Sequence, residues 1–299
     1  MVGWRGIAAY GGTAISNCVL WYPSHAGLFR QRDLELAMTA TSGIARAVED
    51  LIAGRVDFVF GGSSAVLEAQ LQGQDLVLVG SGYNLMPFSL VGGPRLSGPE
   101  ALAEATLALT GRGGAVEFAL RVLCQNQGIP LEHVRLRPEF PSQRACLEAI
   151  GRGEVEGTFL APPLLFEALN RGLREAFSFQ EAGFEYPIGA VAVRREDLRA
   201  RRPMVRAFLM ALAEGLQQAR TDREAVIRTV AAITGVEDAA LLGRTYERFV
   251  AGLPAVPRLS RSALTADLAI TAPGQPGVRL AELVDESVLD ELAAEGWPV

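Results

Sequence analysis

The sequence predicts an α/β fold made of two similar halves, and three observations carry that prediction. Short apolar runs alternate with amphipathic stretches from the N-terminus to about residue 187, the pattern of a parallel sheet with crossover helices. The stretch GRVDFVFGGSSAVLEAQLQG (54–73), slid 99 positions, lies without a gap over GEVEGTFLAPPLLFEALNRG (153–172). After IGAVAVRREDL (188–198) the character changes and the remainder reads as mostly helical.

Taken in order, WRGIAAY (4–10) reads as a strand and ISNCVLWYPSHAG (15–27) as a helix interrupted by Pro23. LELAMTA (34–40) is a strand, and SGIARAVEDLIAG (42–54) an amphipathic helix with Ser42 as N-cap and Gly54 as C-cap. VDFVFG (56–61) is a short strand, Ser63 to Gln72 a helix, and LVLVGSGY (76–83) another strand. The second half repeats the scheme. Its strands are FSLVGG, TLALTG, HVRLRPEF, VEGTFLA and AFSFQEA, separated by the helices PEALAEA, GGAVEFALRVLCQNQG, SQRACLEAIGRG and PPLLFEALNRG. The closing helices are Pro203 to Arg220, Asp222 to Thr234 and Ala239 to Ala251.

Composition removes whole classes of chemistry. All 28 basic residues are arginine, so neither a lysine Schiff base nor a P-loop lysine is available. A net charge of −6 argues against a nucleic-acid partner. No apolar run reaches the length of a membrane span. Cys18, Cys124 and Cys146 form no CxxC pair, and with only His25 and His133 beside them no metal site is expected. TGRGG (110–114) lacks the register of a dinucleotide fingerprint, and no cofactor is expected. The N-terminus shows no basic region followed by a long apolar segment, which leaves a cytoplasmic protein or the mature form of an exported one.

In a parallel sheet, ligands bind beyond the carboxyl ends of the strands, where the next helix offers unpaired N–H groups and small residues let a ligand reach the backbone. The candidate corners are Tyr10, Gly12 and Thr13 after the first strand, Ser42 and Gly43 after the second, and Gly62, Ser63 and Ser64 after the third. The second half contributes Thr110, Arg112, Gly113 and Gly114, then Ser142, then Ala161 with Pro162. Arg112 is the candidate partner for a carboxylate or sulfonate. Ser42, Ser63, Ser64 and Ser142 are read equally as helix caps. Trp21, Tyr83 and Tyr186 are candidates to cover a planar ligand, or to fill core. Cys18 and His25, seven apart, form the one candidate nucleophile–base pair.

The segment LWYPSHAGLFRQRDLELAMTATSGIARAVEDLIAGRVDFVFGGSSAVL resembles the solute-binding proteins of ABC importers for sulfonates, taurine, nitrate and thiamine pyrimidine precursors. GLFRQRDLEL and LIAGRVDFVFGGSS carry the likeness, and REDLRARRPMVRAFLMALAEGLQQA and LVDESVLDEL extend it nearly to the end. The resemblance implies a two-lobed type II periplasmic-binding-protein fold with a hinge and an inter-lobe cleft. Its lobes would be residues 1–86 plus 188–299, and 87–187. It also implies a small-molecule ligand, an organic anion or a heterocyclic compound, an ABC permease as partner, and a periplasmic location. SHAG stands where the family has a charged segment, and three cysteines leave a free thiol. These departures, with no signal segment in view, raise the alternative of a cytoplasmic enzyme on the same fold, a desulfinase, decarboxylase or pyrimidine-precursor synthase, using Cys18 or His25.

Overall fold

The computed structural model describes residues 3–110, 114–273, 279–297 and 299. Strands β1 (Trp4–Gly11), β2 (Leu34–Thr41), β3 (Phe58–Gly61) and β4 (Leu76–Ser81) alternate with helices α1 (Cys18–His25), α2 (Leu28–Gln31), α3 (Ile44–Ile52) and α4 (Ser63–Leu71). A first crossover leads to β5 (Ser89–Gly92), β6 (Thr106–Ala108), α5 (Gly114–Gln127), β7 (Arg135–Arg137), α6 (Gln143–Gly151), β8 (Gly157–Leu160), α7 (Leu164–Asn170) and β9 (Arg174–Ser178). A second crossover returns to β10 (Ala190–Arg194). The last third holds α8 (Arg195–Ala200), α9 (Arg202–Ala219), α10 (Arg223–Thr234), α11 (Ala239–Ala251), α12 (Arg261–Thr271), α13 (Leu280–Leu283) and α14 (Ser287–Ala294).

Two five-stranded sheets result, ordered β2-β1-β3-β10-β4 and β7-β6-β8-β5-β9. The first is the sheet of lobe 1 and the second that of lobe 2. Strands β1, β2 and β3 run parallel, as do β6, β7 and β8. The expectation of purely parallel sheets fails at one strand in each. β10 is antiparallel to β3 and β4, and β5 is antiparallel to β8 and β9. Both follow a crossover, so each enters its sheet from the opposite direction to the βαβ strands. AVAVR, a fully apolar run but for its arginine, reads from composition only as the point where the pattern changes.

The 99-residue repeat extends to backbone detail. β3 and β8 span residues exactly offset by 99, as do α3 and α6. Gly54 and Gly153 both turn through positive φ (70° and 71°), and so do Gly73 and Gly172 (88° and 86°), conformations that favour glycine. The pair Asp57/Glu156 does the same work in both lobes. The Asp57 carboxylate accepts the Ile7 amide at 2.8 Å while the Asp57 amide donates to the Ile7 carbonyl. Glu156 accepts the Thr106 amide at 2.8 Å and donates its own amide to the Thr106 carbonyl. In each lobe the strand entering from the helix is thereby stapled to the first parallel strand. The lobes differ at the next helix. α7 begins later than α4 in the shared register, since each residue followed by a proline, Ala161 and Pro162, is disfavoured in the helical region.

The main core lies on the α1 and α9 side of the first sheet and continues into lobe 2. Phe58 stacks on Phe208 with centroids 4.2 Å apart, and Phe29 packs on the same ring. Pro23 stays within α1 rather than breaking it. Its ring presses on α9 where Gly215 has no side chain, and a Cβ there would lie 2.5 Å from the proline Cγ. No helix among the described residues is long and apolar enough to cross a membrane.

The Thr106 amide bond holds the Glu156 carboxyl below the usual carboxylate range. A lowered folded pKa adds stability above the ordinary glutamate value of about 4.3 and loses it as pH falls through the folded value. Glu156→Gln is therefore expected to lower the urea midpoint at pH 7, with the gap from wild type closing as the pH approaches 3.

Candidate functional site

Each sheet turns the ends of its parallel strands toward one edge, and the predicted corners sit there. The β1 corner is built around Gly12, whose φ is +65° and whose missing side chain would meet nothing within 4 Å. Asn17, buried at the start of α1, pins this turn by donating to the Gly11 and Gly12 carbonyls at 2.9 and 3.1 Å. Thr41 Oγ1 lies 3.1 Å from the Tyr10 carbonyl and 2.9 Å from that of Gly43, joining the β1 and β2 corners. Gly12, Thr13 and Ser42 are exposed, and Tyr10 and Gly43 are half-buried. Ser42 is not the cap expected of it. Gly43 stands at the N-cap of α3 and no side chain among the described residues caps that helix, so its first amides take no side-chain acceptor.

The third corner behaves differently from its sequence reading. Gly61 and Gly62 do make room, but for the protein's own side chains. A Cβ on Gly61 would collide with Ile44, and one on Gly62 would lie 2.6 Å from the Tyr186 hydroxyl. Ser63 and Ser64 are buried, and neither hydroxyl caps α4. Both donate to Asp267 of α12, at 2.5 and 2.7 Å, and Thr271 donates to the same carboxylate at 2.9 Å. Burial pushes the Asp267 carboxyl up, against the pull of these three hydroxyls. This corner is thus occupied by an internal carboxylate delivered from the last third of the chain.

In lobe 2, Thr110 is exposed at the end of the β6 segment, and Gly114 opens α5 with φ +71°. Arg112 and Gly113 lie outside the described residues. Ser142 is a helix cap, accepting the Ala145 amide at 3.2 Å. The Ala161 amide is taken by Gln143 Oε1 at 3.3 Å, and Ala161 itself is buried.

The aromatic candidates separate. Tyr83 belongs to the core. Its ring stacks on Phe249 of α11 and its hydroxyl donates to the Phe249 carbonyl at 3.4 Å. Tyr186 is fully buried between the lobes, with its hydroxyl 2.8 Å from Ser64 Oγ and its ring 4.5 Å from that of Phe118. Burial pushes both phenols well above the usual tyrosine range. Trp21 is fully buried behind Tyr10, the rings edge to face at 6.0 Å, and its indole N–H has no acceptor among the described residues. An unmet buried donor is costly, and this N–H is one of the few buried side-chain polar atoms left without a partner among the described residues.

Cys18 and His25 are not brought together. Cys18 is sealed in the core, where burial pushes its thiol far up and away from the thiolate. His25 is exposed at the other end of α1, about 10 Å along the helix axis. Among the described residues no group of three or more His, Cys, Asp or Glu side chains is placed to hold a metal.

The sequence matches the NMT1/THI5-like family over residues 19–225. The chain belongs to this family. No curated protein sequence matches it. Among solved structures, this family member is similar to a protein of Bordetella bronchiseptica RB50, with 16% identity, a TM-score of 0.82, and 99% of this chain and 98% of that one covered. The alkanesulfonate-binding protein SsuA of Xanthomonas axonopodis pv. citri, solved with MOPS bound, aligns at 18% identity and TM-score 0.75, covering 99% and 94%. The desulfurization enzyme DSZB aligns at 18% identity and TM-score 0.72, covering 98% and 100%. At such identities the likeness carries the fold, and the NMT1/THI5-like chain has the type II periplasmic-binding-protein fold.

Asp267→Ala would leave three hydroxyls without their acceptor, two of them fully enclosed. It is expected to cost about 3 kcal/mol of stability in urea unfolding, and Gly62→Ala about 1–3 kcal/mol through its collision with Tyr186.

Proposed function

We propose that this protein is a solute-binding component of an ABC importer, working outside the cytoplasmic membrane and handing a small organic anion or heterocycle to a permease. The observation that carries this reading is the pairing of two sheets joined by two crossovers, each ending its parallel strands in corners of small residues. Two lobes that hinge on paired crossovers suit capture of a solute by closure. The sulfonate-binding likeness, and that to the nitrate-binding protein NrtA of Synechocystis PCC 6803, support the same reading.

The lobe 1 polar contacts are assigned to the β1 and β2 corners: the Gly12 and Thr13 turn, Ser42, the uncapped start of α3 and the Trp21 indole N–H. The serines of the third corner are committed to Asp267 and support that wall from behind. Arg112 is the proposed partner of an anionic group, with Thr110 and Gly114 beside it. The enzymatic alternative, for which the DSZB likeness speaks, meets a physical obstacle in a Cys18 thiol that is buried, pushed by that burial away from the thiolate, and set apart from His25.

A thermal-shift screen with sulfonates, aromatic acids, pyrimidines and flavins tests the reading. A true ligand at 100 times its Kd is expected to stabilise by about 2.7 kcal/mol, and to be recovered chemically unchanged after long incubation. Turnover that disappears in Cys18→Ala would overturn binding in favour of catalysis. Separately, Arg112→Ala is expected to weaken affinity for an acidic ligand at least tenfold by calorimetry, and wild-type affinity would remove Arg112 from the site.

A further inference from the structure

Tyr186 lies on the second crossover and is gripped from several directions. Its amide donates to the Asn84 carbonyl of the first crossover at 2.7 Å. Its hydroxyl sits against lobe 1, over the gap left by Gly62. Its ring faces Phe118 of α5 in lobe 2, centroids 4.5 Å apart and planes inclined by 33°.

The direction of the hydroxyl contacts is set by proton count. A serine hydroxyl carries one hydrogen, and Ser64 gives its hydrogen to Asp267 at 2.7 Å. The Ser64 oxygen must then accept from Tyr186 across the 2.8 Å contact. The chain runs Tyr186 to Ser64 to Asp267 and ends on a fully buried carboxylate. The Ser64 amide approaches the same phenol oxygen at 3.4 Å. Apart from Tyr186 itself, which lies on the second crossover at the edge of the 87–187 segment, these groups all belong to lobe 1, so lobe 1 and the crossovers hold the ring in place without α5.

We propose that Tyr186 is the pad on which lobe 2 closes, its ring oriented in advance by the hydroxyl chain to Asp267, with Phe118 as the residue that lands on it. Tyr186 is then a positioning residue for the lobe equilibrium rather than a ligand contact. The packing of α4 against α5 at the same junction places the landing where the two lobes meet. The inference concerns the ligand-free molecule, so it stands or falls separately from the identity of any solute.

The test uses the full chain with spin labels at Gln72→Cys in lobe 1 and Glu132→Cys in lobe 2, both exposed, while the three native cysteines are buried. Inter-lobe distances are read by double electron–electron resonance without ligand. Phe118→Ala and Tyr186→Ala are each expected to lower the ratio of short to long separations by roughly three- to tenfold, the range an aromatic pair supplies. The double variant is expected to do no more than either single one, because both remove the same contact. Tyr186→Phe, which keeps the ring and frees it from Ser64, is expected to fall between. An unchanged distribution in Phe118→Ala, or single effects that simply add in the double variant, would overturn the proposal. If Tyr186→Ala does not fold, the Phe118→Ala and Tyr186→Phe cycle decides the same question.

Discussion

Asp267 is fully buried, and three hydroxyls stand around its carboxylate. A carboxylate out of water needs compensation, and in this protein Ser63, Ser64 and Thr271 provide it. That one requirement organises much of the molecule. It commits two serines at the start of α4, draws α12 from the last third onto the third corner, and through Ser64 orients Tyr186 between the lobes. Gly62 follows from it too, since any side chain there would collide with the phenol. The C-terminal helices are thus part of how lobe 1 is finished rather than an appendage to it.

The two lobes share a plan and divide on polarity. Asp57 and Glu156 staple equivalent strands by the same pair of hydrogen bonds, and glycines at equivalent positions turn through the same positive φ. At the third corner the resemblance stops. Lobe 1 has Ser-Ser there, and lobe 2 has Pro-Pro, which offers no hydroxyl and no N–H. Sequence alone reads the serines as the more polar wall of a cleft. In the structure that polarity is turned inward, and the solute contacts proposed for lobe 1 are those of the β1 and β2 corners. There no side chain caps α3 and Gly12 leaves open space, while the buried Trp21 N–H lacks an acceptor among the described residues.

The arginine-only composition is visible in how the partly buried carboxylates are held. Arg201 ties Asp57 to Asp197, Arg194 pairs with Asp197 at 2.5 Å, and Arg248 of α11 reaches Glu175 and Glu181 in lobe 2. Planar guanidinium groups suit such shared, multi-partner contacts better than ammonium groups. Arg248 and Tyr83 together seat α11 against both crossovers, which is why an aromatic that sequence offers as a ligand cover is core instead.

Local pattern determined a large part of this protein. Apolar periodicity placed the helices α9, α10 and α11 to within a residue or two, glycine positions marked helix ends, and the 99-residue offset foretold two similar halves whose β3/β8 and α3/α6 share one register. Those features depend on neighbours a few residues apart, so they are written in short windows. What only the tertiary structure decided depends on partners far apart in the chain. Ser63 meets Asp267 across 204 positions, and a serine at a helix start looks the same whether water, a ligand or a buried carboxylate accepts its hydrogen bond. β5 and β10 run antiparallel because of where the crossovers deliver them, a direction that composition does not encode. Cys18 and His25 stand seven apart on one helix, yet Cys18 is buried and His25 exposed, because burial is set by what packs on α1 rather than by α1 itself.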